Sequence, residues 1–146
     1  MKKIINEMKL RLPAISGNEG VCRAMISAFV SGLDPTLDEL GDLRCAVSEA
    51  VTNCVVHAYP NKDKLHSFIY ISARLYDNKE VSIEISDKGC GIVDLELALT
   101  PGYTEGGEGE RSGMGFFIME SFTDSVKVKS TPGRGTVILM KKKFSS

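Results

Sequence analysis

The chain has 146 residues, 42% hydrophobic and 25% charged, with a formal net charge of −1. That length fits one domain whose core needs no disulfide or structural metal, and that charge gives no reason to expect nucleic acid or an anionic membrane as a direct partner. Four cysteines without CxxC spacing and only two histidines argue against zinc, and no apolar run approaches the ~20 residues that cross a bilayer.

The opening MKKIINEMKLRL carries charge throughout, unlike a signal peptide, so a cytoplasmic protein with reduced thiols is expected. Residues 4–12 mix apolar and charged side chains and read as an edge strand. Ser16-Gly17-Asn18-Glu19 has the form of a capping box, and a helix should run from about Glu19 to Leu33, with Val21, Met25, Ala28 and Phe29 on one face. Asp34-Pro35 breaks it. Thr36-Leu37-Asp38-Glu39 is a second capping box, opening a long helix to about Tyr59, where Pro60 and Asn61 stop it. Its core stripe is Leu40, Leu43, Val47, Val51, Cys54 and Ala58.

From His66 to Tyr76 and from Val81 to Ser86 the pattern alternates, which predicts a hairpin with one buried face. A short helix is expected over Asp94 to Leu99 and a glycine-rich loop over residues 101–112. Met114 to Phe122 reads as helix. Val126 to Ser130 and Thr136 to Lys142 read as a last hairpin around Pro132-Gly133-Arg134-Gly135. Strands joined by hairpins point to a mixed, mostly antiparallel sheet with helices on one face, a two-layer α+β sandwich forming one domain over 1–146.

Three groups of residues carry chemistry. Glu49, Asn53 and His57 lie at i, i+4 and i+8, in one row on one helix face. A glutamate suits proton abstraction from a hydroxyl, and an asparagine carbonyl is a hard ligand suited to Mg²⁺. Taken alone, the row reads as the polar rim of an amphipathic helix. Asp87-Lys88-Gly89-Cys90-Gly91 follows a strand directly. An aspartate there can accept a hydrogen bond from a base's exocyclic amine, and the glycines let the backbone turn sharply close to a ligand. Taken alone, it is an ordinary strand-to-loop turn. Glu110-Arg111-Ser112-Gly113-Met114-Gly115-Phe116 leads from the glycine-rich loop into a helix. Free N–H groups at a helix start suit phosphate, and Arg111 could reach a terminal phosphate with its planar fork. By itself this is a flexible connector with a helix cap. GxxxxGK[ST], GxGxxG and the HRD, DFG and VAIK signatures do not occur, which sets aside P-loop, Rossmann and ordinary protein-kinase sites.

The order of the three groups, E-x-x-x-N-x-x-x-H on a helix, D-x-G-x-G after a strand and a loop ending in G-x-G, resembles the GHKL (Bergerat) superfamily of gyrase, Hsp90, histidine kinases and MutL. It covers nearly the whole chain. Leu33-Asp34-Pro35-Thr36, the stretch VSEAVTN at 47–53 and ERSGMGFFIME at 110–120 are most similar to the anti-sigma factor serine kinases, especially their sporulation branch. The resemblance implies a homodimer that binds ATP with Mg²⁺, captures a sigma factor (sigma F), and phosphorylates a serine of an anti-anti-sigma protein. It implies Asn53 as Mg²⁺ ligand and Glu49 as base. Asp87 would hold adenine, with Gly89 and Gly91 shaping its pocket. Arg111, Ser112, Gly113, Met114 and Gly115 would hold the phosphates, Arg111 also acting in transfer, and Thr136 would sit near the base. Arg23 matches a position at the family's partner surface. Residues 101–112 would form a lid, here richer in glycine and acid than the family pattern, which leaves Thr104 unmatched. A stress-response relative and an ATP-gated binding module without turnover are the alternatives.

Overall fold

A computed structural model describes residues 1–93 and 115–145 of the chain. Strand β1 (Ile4–Pro13) leads into helix α1 (Gly17–Val30) and a 3₁₀ turn (Ser31–Leu33). Helix α2 (Leu37–Thr52) continues without a break into a π-helical segment (Asn53–Ala58). A second 3₁₀ turn (Lys64–His66) precedes the hairpin β2 (Phe68–Tyr76) and β3 (Glu80–Asp87). Helix α3 (Gly115–Phe122) and the hairpin β4 (Ser125–Thr131) and β5 (Gly135–Lys143) follow.

The strands form one sheet in the order β1-β2-β3-β5-β4, and every pairing is antiparallel. The predicted edge strand is therefore an edge, and both predicted hairpins are present. Alternation decides which face is covered. Ile69, Ile71, Ala73 and Leu75 of β2 lie opposite Asp87, Ile85, Ile83 and Val81 of β3, and all eight are buried. Ile138 and Met140 of β5 continue that face. Against it pack Cys22, Ile26 and Val30 of α1, Leu43, Ala46, Val47, Ala50 and Val51 of α2, and Phe116 and Met119 of α3. The expected two-layer α+β sandwich is present among the described residues.

The second capping box is formed as predicted. Thr36 Oγ1 accepts from Glu39 N at 3.1 Å, while Glu39 Oε1 accepts from Thr36 N at 2.9 Å. The first is not formed. Ser16 already has helical backbone angles (φ −59°, ψ −32°), so its hydroxyl makes no cap bond, and Glu19 Oε1 instead accepts from Thr52 Oγ1 of α2 at 3.0 Å. The α1 face is also different from the prediction. Val21, Met25 and Ala28 are exposed, and the buried row is Cys22, Ile26 and Val30, one position further round. The Thr52–Glu19 bond and one from Arg23 Nη1 to Ser48 Oγ at 3.3 Å turn residues 19, 23 and 26 toward α2.

The long helix ends near Tyr59 as expected, but its last six residues are π-helical rather than α. Lys64 Nζ closes that end by donating to Tyr59 O at 2.7 Å and Val55 O at 3.4 Å, a cation where a helix exposes carbonyls. The short helix expected at 94–99 and the lid at 101–112 lie outside the described residues.

Candidate nucleotide site

The D-x-G-x-G segment leaves β3 and is clasped between two backbones. Cys90 N donates to Ala58 O of the π-helical segment at 2.8 Å, and Gly133 N of the β4–β5 turn donates to Cys90 O at 2.7 Å. That spacing leaves no room for side chains at two positions. A Cβ on Gly89 would fall 2.0 Å from Ala58 O, and one on Gly91 would fall 2.3 Å from Thr131 O. Gly91 also has φ +73°, which L side chains seldom adopt. Tyr59 locks the start of the segment: its hydroxyl donates to Phe68 O at 2.6 Å and accepts from Lys88 N at 2.8 Å.

Asp87 is the last residue of β3 and is only 8% exposed. Its Oδ1 accepts from Gly89 N at 2.9 Å and from Thr136 N at 3.3 Å. Its Oδ2 accepts from Cys54 Sγ at 3.6 Å. Burial pushes the carboxyl above its usual range, against the pull of these three donors. Thr136 is Asp87's cross-strand neighbour on β5. Its Oγ1 lies 2.8 Å from Ser130 Oγ, which in turn accepts from Ile92 N at 2.7 Å. Ser130 therefore ties the exit of the glycine segment to Thr136. The sequence motifs do not include Ser130, Tyr59 or Cys54. Their roles arise from cross-strand and helix-to-strand contacts, and no local spacing announces them.

Glu49 and Asn53 lie half-buried at the junction of α2 and the π-helical segment, where Asn53 N donates to Glu49 O. His57 follows on the π-helical segment, also half-buried. A Cβ on Gly115, the first residue of α3, would stand 3.2 Å from Glu49 Oε1. The first and third sequence groups thus meet, and a glycine at 115 lets the start of α3 approach that carboxylate. Asn53 adjoins Cys54, which contacts Asp87, so the helix row and the strand-end aspartate share one wall. Arg23 is half-buried against Ser48, beside Glu49 in sequence, with its guanidinium engaged by α2. Arg111, Ser112, Gly113 and Met114 lie outside the described residues.

Chemically, this wall offers a buried, acceptor-rich carboxylate, a backbone cleft that excludes Cβ atoms, and a second carboxylate at a helix start. An aspartate of that kind suits an N–H donor of a planar base. An asparagine carbonyl beside a glutamate suits a hard cation whose remaining ligands are phosphate oxygens and water. The donor set, one amide carbonyl and one carboxylate, fits Mg²⁺ whose other ligands come with a nucleotide. Among the described residues, no group of three or more His, Cys, Asp and Glu is arranged to hold a metal.

A family model described as a histidine kinase-like ATPase domain matches residues 15–142. An anti-sigma F factor of Clostridium acetobutylicum is 49% identical over 140 residues, covering 96% of this chain and 95% of that protein. The chain belongs to the anti-sigma F factor family of histidine kinase-like ATPase domains. The anti-sigma F factor of Pasteuria penetrans is 48% identical over 141 residues, covering 97% of this chain and 93% of its own length. In fold, the chain is similar to a crystal structure of the RsbU and RsbW domains of a Mycobacterium tuberculosis protein. That likeness has a TM-score of 0.71 at 18% identity and covers 97% of this chain and 33% of the other. Membership in a family of ATPase domains implies ATP binding. Among the described residues, no helix is long and apolar enough to cross a membrane.

Proposed function

We propose that the chain is an anti-sigma factor and a serine protein kinase. It holds sigma F inactive and, with Mg·ATP, phosphorylates a serine of an anti-anti-sigma protein, which releases the sigma factor. One observation carries most weight: Glu49 Oε1 stands where a Cβ on Gly115 would meet it at 3.2 Å, so a proton acceptor faces the start of α3, where the G-x-G motif of the sequence ends. Simple nucleotide binding needs no carboxylate there, whereas transfer to a hydroxyl does.

When bound, Mg·ATP supplies the transferable phosphoryl group and the cation that neutralises its charge. Asp87 would accept a hydrogen bond from the exocyclic amine of adenine, with Gly89, Gly91 and Thr136 lining the base site. Asn53 would ligate Mg²⁺ through its carbonyl oxygen. Glu49 takes the proton of the attacking serine. Ser112, Gly113, Met114 and Gly115 hold the phosphates, and Arg111 offsets charge on the terminal one. Residues 1–146 act as one cytoplasmic domain, paired as a homodimer, with residues 101–112 closing as a lid and Arg23 at the partner surface.

The test is transfer of labelled phosphate from Mg·ATP to a purified anti-anti-sigma protein. Label on a serine of that protein is expected. ATP binding without label would replace the kinase by an ATP-gated binding module. Hydrolysis without a protein acceptor would favour an ATPase.

A further inference from the structure

The Asp87 carboxylate holds more partners than reading a base requires. Its two oxygens offer about four acceptor positions. Oδ1 is occupied twice, by the N–H groups of Gly89 and Thr136 at 2.9 and 3.3 Å. Both donors are main chain, so Oδ1 is fixed by the fold itself. Rotation about the carboxyl's last bond moves both oxygens together, so a donor on Oδ2 adds a third hold on the same plane. That donor is a side chain from another layer, the thiol of Cys54, 3.6 Å away on the π-helical segment. Cys54 is 1% exposed. A buried cysteine is a neutral thiol near neutral pH, so it can only donate its S–H to the carboxylate it faces.

We propose that Cys54 is a positioning residue for purine recognition: its thiol occupies one acceptor position of Asp87 Oδ2, adds to the hold on the carboxylate plane, and leaves the other position for the exocyclic amine of the base. This rests on the reading of Asp87 as the base acceptor. Selectivity follows from the count. An acceptor with one vacancy rewards a ligand that brings one N–H and does nothing for a ring that lacks it. An S–H group is a weak donor, so the effect is modest and specific to that one contact.

The experiment compares two nucleotides that differ only in the amine, ATP and purine riboside triphosphate, each titrated with Mg²⁺ into the full chain by calorimetry. The variants are Cys54→Ala, Cys54→Val, which fills the space without donating, and Cys54→Ser, which donates. The wild type should bind ATP more tightly than the amine-free analogue. Ala and Val should each lose about two- to threefold in ATP affinity, the low end of one hydrogen bond's contribution, and bind the analogue as the wild type does. Ser should restore ATP binding. Unchanged binding of the analogue also shows that the variants are folded. Equal weakening of both nucleotides would reduce Cys54 to packing and overturn the proposal, as would no change for either. If the wild type itself binds the two nucleotides equally, the Asp87 reading falls instead, and the proposal with it.

Discussion

Gly89→Ala tests the clasp around the D-x-G-x-G segment. The residue needs no unusual backbone angle, so its cost is purely one of space. The new methyl would lie 2.0 Å from Ala58 O and 2.6 Å from Ala58 C, both backbone atoms that cannot swing aside. Restoring an ordinary contact of about 3.5 Å requires the segment to move out by roughly 1.5 Å. The bond from Cys90 N to Ala58 O, now 2.8 Å, cannot survive that shift. Losing it costs about 1 kcal/mol, and the residual overpacking costs about 1–3 kcal/mol, so the domain should lose about 2–4 kcal/mol. For a chain of this size that lowers Tm by roughly 5–15 °C. The shift also carries Asp87 Oδ1 away from Gly89 N, so a nucleotide should raise Tm less in the variant than in the wild type. Scanning calorimetry with and without nucleotide measures both. Gly41→Ala is the control: it lies in α2 with nothing within 4 Å of the added methyl, and should raise stability by about 0.5–1 kcal/mol. A Gly89→Ala protein that melts within about 2 °C of wild type and keeps its nucleotide-induced shift would refute the reasoning.

Glu49→Ala should retain ATP affinity by calorimetry but lose phosphate transfer by about 10²–10⁴-fold, the usual contribution of a general base; transfer at the wild-type rate would remove Glu49 from that role. Thr36→Ala should lower stability by about 1 kcal/mol in urea unfolding, because it opens the capping box of α2. Glu39 is the other half of that box. The N–H groups of Thr36 and Ser145 hold its carboxyl at about 2, so its contribution is present above the ordinary glutamate range and is lost as pH falls toward 2. Glu39→Gln should therefore flatten the acid side of the stability profile between about pH 4.5 and 2, read from urea midpoints. Cys45 and Cys90 are exposed, while Cys22, pushed up to about 11 by burial, and Cys54 are buried. A thiol reagent at pH 8 should label two cysteines in the native protein and four in urea.

The capping signals show where the sequence was readable and where it was not. Thr36 and Ser16 head the same S/T-x-x-E pattern, yet only Thr36 has the extended backbone (ψ 164°) that turns a hydroxyl back over the helix start. Ser16 is already helical, and Glu19 is drawn away by Thr52, a residue 33 positions later that no local window contains. The α1 face has the same cause. Val21-Met25-Ala28 and Cys22-Ile26-Val30 are adjacent rows of comparable hydrophobicity, and contacts with α2 select the second. The β-strands were legible because an alternating pattern states its own face: Ile69, Ile71, Ala73 and Leu75 could be buried only together. In the site, the glycines and Asp87 were legible as motif residues. The π-helical turn under Asn53 and the partners Cys54, Tyr59 and Ser130 were not, since each depends on how a helix end meets a strand end.

The pocket around Asp87 also has a place in time. Asp87 takes a donor from residue 54 on one side and from residue 136 on the other, and the cleft beside it is closed by the turn at 132–134. During synthesis, nearly the whole chain must leave the ribosome before β5 can pair with β3 and deliver the N–H of Thr136. A nascent chain with both α1 and α2 folded still lacks the donor that β5 brings to Asp87. An unfinished copy therefore has its helices without the completed clasp around that carboxylate.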